Sequence, residues 1–143
     1  MSTFTEELRR ENFLTLKYLN TAKRLGMRTL QGRRALFDNK TKLISHLITE
    51  DKEILATLKG ASNTHPDLAQ TLQMFEDDIT NTTKYVLEFF KKHTTNEANK
   101  ELSGDFDLLF NHITKRIEKE ENIFYDEYDE IKKEEELLKK LLL

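Results

Sequence analysis

The sequence predicts an all-α chain folded as an up-down-up-down four-helix bundle. Three observations predict it. Helix breakers are scarce, with 4 Gly and 1 Pro among 143 residues, and the composition is rich in Glu, Lys and Leu. Four stretches carry apolar residues three and four apart and are joined by short links. Two of those stretches also share a pattern. Residues 43–55, LISHLITEDKEIL, align with residues 116–125, RIEKEENIFY, when His46 is laid on Arg116. Glu50 then meets Glu120, Asp51 meets Glu121, Ile54 meets Phe124 and Leu55 meets Tyr125. Each copy sets a polar head and a carboxylate four residues apart, one helical turn along the same face.

Thr3 and Glu6 have the spacing of a capping box. Leu8, Asn12, Leu16, Leu19 and Ala22 follow at helical spacing and predict a first helix over 4–24. Asn12 lies within that stripe. Asn is usually exposed, which favours a helix-edge amide touching solvent over an inward contact. Gly26 and Gly32 bracket the first link. The second helix is expected over 33–59, with Leu36, Leu43, His46 or Leu47, Glu50, Ile54 and Leu58 inward and Gly60 as its C′ glycine. Pro66 opens the third helix, with Thr64 or His65 as its cap. Its stripe runs Leu68, Leu72, Phe75, Ile79, Thr82, Val86, Phe89 and His93, ending near Thr95. The fourth helix begins at 103–105 and turns Phe106, Leu109, Ile113, Arg116 or Ile117, Glu120, Phe124, Tyr128 and Ile131 inward. Residues 1–131 form the bundle. Residues 132–143 are a charged, leucine-rich extension or tail, which frays, covers an opening of the bundle or docks on a second copy.

Composition bounds the function classes. The net charge of −3 argues against a nucleic-acid partner. No stretch has the length and apolarity of a membrane span. The N-terminus lacks the apolar run of a signal peptide. The absence of Cys leaves no disulfide, thiolate ligand or Cys nucleophile and suits the cytoplasm. No phosphate-binding loop, dinucleotide fingerprint, nucleophile elbow or zinc-protease motif occurs. The acidic run 118–121, continued by Asp126, Glu127, Asp129 and Glu130, is expected to be a solvated helix face offset by lysines.

The run His46-Leu47 with Glu50-Asp51, and the run Arg116-Ile117 with Glu120-Glu121 ahead of Phe124-Tyr125, resemble the hemerythrin-like family, the HHE cation-binding domains. The resemblance covers roughly residues 5–131. It implies a bundle holding iron through His and carboxylate ligands, in proteins that bind dioxygen or sense oxygen or iron. Carried over by position, His46, Glu50 and Glu120 match ligands, and His112 is a candidate one turn before Arg116. Arg116 stands where a His ligand is found in other members, and Asn12 at the helix-one position is not His either. The chain has 4 His in all, too few for the full di-iron set, which argues against an oxygen carrier. A di-iron oxygenase or peroxidase ranks last.

Two pictures of the pocket follow. In one, His46, Glu50, Glu120 and His112 hold one ion, or two poorly saturated ones, of iron, Mn or Zn. The protein is then a metal- or oxygen-linked sensor or binding protein. In the other, no metal is bound. Arg116 replaces it, its guanidinium forking onto Glu50 and Glu120 beside Asn12. The protein is then an interaction or regulatory module with a protein partner or a second copy of itself.

Overall fold

The computed structural model describes residues 3–143, apart from the side chains of Glu76, Asp77 and Thr80. The described chain is helical throughout, with no strand. Helix α1 spans Thr3–Leu25, α2 Leu30–Phe37 and α3 Lys40–Glu50. A π-helical turn, Asp51–Leu55, joins α3 to α4, Ala56–Ala61. Helices α5, Pro66–Met74, and α6, Glu76–Lys92, come next. Helix α7, Leu102–Lys119, then passes through a second π-helical turn, Glu120–Phe124, into α8, Tyr125–Leu142.

Several boundaries differ from the sequence reading for local reasons. Thr3 is already inside α1, so the capping position ahead of it lies outside the described residues. The first link is shorter than the two glycines suggest. Gly26 takes φ +83° and ends α1, its N–H donating to Ala22 O at 2.8 Å. Thr29 then caps α2 by accepting from the Gly32 N–H at 2.9 Å, which places Gly32 inside the helix. A Cβ on Gly32 would stand 1.9 Å from Gly26 O, so the backbone passes too close at this point for any side chain.

The expected second helix is broken once. At Asn39 the side chain donates to Ala35 O at 2.8 Å, competing with the helical ladder. Gly60 is not a C′ residue. It lies within α4, and the chain turns at Ser62, whose hydroxyl donates to Lys59 O at 2.6 Å. His65 occupies the N-cap position of α5 and Pro66 its first turn. The third helix is interrupted at Phe75, φ −110° and ψ 20°. Residues 132–142 continue α8.

Helix α1 packs on α2, α3 and α7; α6 packs on α3 and α7; and α4 packs on α5 and α8. Buried apolar residues fall into two clusters. One holds Leu19, Leu36, Leu43, Leu47, Val86, Phe89, Phe106, Leu109 and Ile113; the other holds Leu8, Ile54, Leu58, Leu68, Ile79, Phe124, Tyr125 and Tyr128. Each long segment passes from one cluster to the other through a buried polar residue. The crossings are at Asn12, at Glu50, at Thr82 and at Arg116 with Glu120. A polar layer therefore divides the core. No helix among the described residues is long and apolar enough to cross a membrane.

Candidate functional site: a buried carboxylate layer around Arg116 and His46

The two π turns build the layer. A π turn adds one residue to a helical turn and re-aims the side chains beside it. The Ala56 N–H reaches Asp51 O, and the Tyr125 N–H reaches Glu120 O, each five residues back. The turns sit within one residue of equivalent places in the sequence echo. Glu50 lies at the edge of one and Glu120 at the start of the other, 1% and 3% exposed. A regular helix would point Asp51 about 100° away from Glu50. Glu50 and Asp51 keep ordinary helical backbone angles, and the long Arg116 side chain comes within ion-pair distance of both carboxylates.

Arg116 is 1% exposed and is the largest fully buried side chain. Its Nε donates to Glu120 Oε2 at 3.2 Å and its Nη2 to Asp51 Oδ1 at 2.9 Å. Its Nη1 donates to the Ile79 carbonyl at 3.1 Å and to Thr83 Oγ1 at 2.9 Å. All three nitrogens are engaged, and the surrounding carboxylates hold the group's pKa above its ordinary value despite burial. The expected fork onto Glu50 and Glu120 is corrected in one arm. Glu50 Oε1 lies 4.0 Å from Nη2, and Asp51 takes the hydrogen bond instead.

Glu50 is held from the other side. Tyr125 Oη donates to Glu50 Oε2 at 2.6 Å, and Asn12 Nδ2 donates to Tyr125 Oη at 2.8 Å. Asn12 Oδ1 accepts from His46 Nε2 at 2.7 Å, while His46 Nδ1 donates to Glu11 Oε1 at 2.8 Å. Glu50 Oε1 lies 2.8 Å from His46 Nε2 as an ion pair. Every neighbour of the ring is an acceptor, an arrangement that favours the doubly protonated, cationic form of His46. Burial alone would lower its pKa; the hydrogen bonds and charges of Glu50 and Glu11 outweigh burial and raise it.

The carboxyl pair splits. Burial opposes ionisation of Glu50, but hydrogen bonds from Glu120 and His46 and the charge of Arg116 bring its pKa down to about 2. Glu120 moves the other way, well above the carboxylate range, through burial and the charge of Glu50 beside it. Ionisation is therefore favoured at Glu50 and opposed at Glu120. Glu50 Oε1 and Glu120 Oε1 are buried without another hydrogen-bond partner.

The layer brings together His46, Glu50, Glu120, Arg116 and Asn12, five of the six residues singled out in the sequence. Asn12 is fully buried, which overturns its expected solvent-edge position. His112 is apart. It is half-buried and stacks on Tyr85, ring centroids 4.3 Å apart, with no hydrogen bond to the layer. His93 is also apart, donating at Nε2 to Asp105 Oδ2 at 2.7 Å where α6 meets α7. Sequence reasoning missed Glu11, Asp51, Thr83 and Tyr125 as members. Tyr125 was within reach, because it closes the second copy of the echo. Part of the acidic run also faces inward. Glu120 is buried, Glu121 and Asp126 bind Arg9, and Asp129 accepts from Thr5.

For a metal, the donor chemistry is decisive. Both His46 nitrogens face acceptors, and Arg116 stands against Glu120 and Asp51, where an ion between the carboxylates would sit. Among the described residues, no group of three or more His, Asp and Glu side chains is disposed to hold a metal ion. The arrangement is a buried ion network in which Arg116 and His46 face the carboxyl groups of Glu50, Asp51 and Glu120. Compared with models of protein families, with curated proteins and with solved structures, the chain gives no match.

Proposed function

We propose that the protein is a hemerythrin-like four-helix bundle, up-down-up-down and cytoplasmic, that serves as a metal-free interaction or regulatory module. Arg116 takes the place of the cation. One observation carries the reading: a fully buried guanidinium engages Glu120, Asp51, Thr83 and the Ile79 carbonyl at once. A buried carboxylate needs a positive partner. Here the chain supplies two of its own, Arg116 and His46.

The second reading is a divergent metal- or oxygen-linked sensor, with iron, Mn or Zn on His46, Glu50 and Glu120. Two buried carboxyl oxygens, Glu50 Oε1 and Glu120 Oε1, favour it. They would face the ion in this reading.

Elemental analysis separates the two. Untagged protein from iron- and manganese-supplemented growth is expected to carry no stoichiometric metal, and chelator is expected to leave its melting temperature unchanged. About one metal per chain, lost in His46→Ala, would replace the first reading with the second.

A further inference from the structure

The first link and the helix ends it joins are strongly basic. Residues 21–42 hold seven Lys and Arg against a single acid, Asp38. The segment therefore carries +6 in a chain of net charge −3, which leaves −9 for the remainder. None of these side chains belongs to the polar layer.

Most of the cations have a structural duty. Lys23 and Arg24 fall in the last turn of α1 and Arg34 in the last turn of α2, where positive charge complements the helix dipole. Lys23 also lies over the Phe110 ring, and Lys40 over the Phe90 ring. Arg33 ties two segments together: its Nε donates to Asn96 O at 2.7 Å and its Nη1 to Met27 O at 3.0 Å. Arg28 has no such duty. Its side chain is exposed and, among the described residues, takes part in no ion pair or hydrogen bond. The same holds for Lys100, in the loop 93–101 between α6 and α7.

Arg28 and Lys100 share a cleft of about 450 Å³ between the first link and that loop. Asn99 and Ser103 line it as well and add neutral donors. Asn99 Oδ1 accepts from the Glu101 N–H at 2.8 Å, which leaves Nδ2 as the donor. Among the described residues, no Asp or Glu lines the cleft. Glu101 lies in the same loop but is paired with Lys92. The two Arg33 bonds hold the link against the loop, so the walls are in place before a ligand arrives.

We propose that this cleft is the docking site for an acidic segment of a protein partner, with an Asp or Glu carboxylate seated between Arg28 and Lys100. The proposal rests on the reading of the protein as an interaction module and names the face that meets the partner. A carboxylate matches the donor set, because a cation donating to an anion makes the strong class of hydrogen bond. A nucleic-acid strand fits less well. Its charge continues past the cleft onto a chain that is −9 elsewhere. An anionic bilayer is flat, whereas Arg28 and Lys100 line a recess.

The test is fluorescence anisotropy of a labelled oligoglutamate peptide with the full chain at about 0.05 M salt, where exposed charges are weakly screened. Saturable binding that weakens as salt rises is expected. Arg28→Glu with Lys100→Glu alters only exposed side chains and is expected to stay folded by circular dichroism. It is expected to weaken binding at least about tenfold, the scale of like charges opposed at an interface. Lys133→Glu with Lys139→Glu makes the same change in net charge at the other end of the molecule, because α8 runs antiparallel to α1 and passes its start. That variant is expected to change binding less than about threefold. Binding that does not saturate, or that both double variants weaken alike, overturns the proposal. So does tighter binding of oligothymidylate or of phosphatidylserine vesicles through the same two residues, which assigns the cleft to nucleic acid or to a membrane. Metal content is read separately. Stoichiometric metal would remove the metal-free reading and leave in place a peptide site that passes these tests; absent peptide binding in metal-free protein removes the docking site alone.

Discussion

Replacing Arg116 with Met keeps most of the side-chain volume and removes the guanidinium. Four hydrogen bonds go with it, to Glu120, Asp51, Thr83 and the Ile79 carbonyl. Asp51 is one-third exposed and can turn to water. Glu50 and Glu120 cannot, being 1% and 3% exposed. The charge of Glu50 would then rest on His46 alone. Removing one partner of a buried ion pair costs about 3–5 kcal/mol. At roughly 2–4 °C per kcal/mol for a chain of this size, the melting temperature is expected to fall by on the order of 10 °C. The assay is thermal unfolding at pH 7 followed by circular dichroism at 222 nm. Glu120→Gln in the Arg116→Met background is expected to recover part of the loss, because it removes a buried carboxyl that has lost its donor at Oε2. A double-mutant cycle over Arg116 and Glu120 isolates that coupling. A shift in Arg116→Met below about 2 °C, under 1 kcal/mol at this chain size, would refute the ion network as a determinant of stability.

Other outcomes follow from the same geometry. Tyr125→Phe deletes the hydroxyl that links Asn12 to Glu50 and is expected to cost about 1–3 kcal/mol in urea unfolding. Gly32→Ala forces a Cβ to within 1.9 Å of Gly26 O and is expected to cost about 1–3 kcal/mol or more; Gly104→Ala, with open space around it, should stabilise by about 0.5–1 kcal/mol. Stability should also depend on pH with opposite signs on the two sides. The Glu50 pKa is lowered from 4.5 to about 2, so its contribution is complete above 4.5 and is lost as pH falls toward 2. The pKa values of His46 and Glu120 are raised, so their contributions are complete below the unfolded values and are lost as pH rises through the folded ones. Melting temperatures measured across pH should fall in acid, and Glu120→Gln should flatten the alkaline side.

The sequence alone determined the helical class and the register of the polar layer. Few breakers, 3.6-residue periodicity and the echo between residues 43–55 and 116–125 are local properties, and His46, Glu50, Arg116 and Glu120 all lie buried where that pattern put them. Tertiary structure decided what the pattern could not carry. Asn12 reads as a surface amide until Tyr125 and His46 close on it from α8 and α3. Asp51 lies beside the inward stripe, and only packing brings Arg116 Nη2 to within 2.9 Å of its carboxylate. His112, only four residues from Arg116, faces Tyr85 because its side of α7 meets α6 outside the layer. The physical reason is one of range. Periodicity records which face of a helix turns inward, whereas the partners of a buried charge are set by groups up to 75 residues away in sequence, brought to hydrogen-bonding distance only when the helices pack.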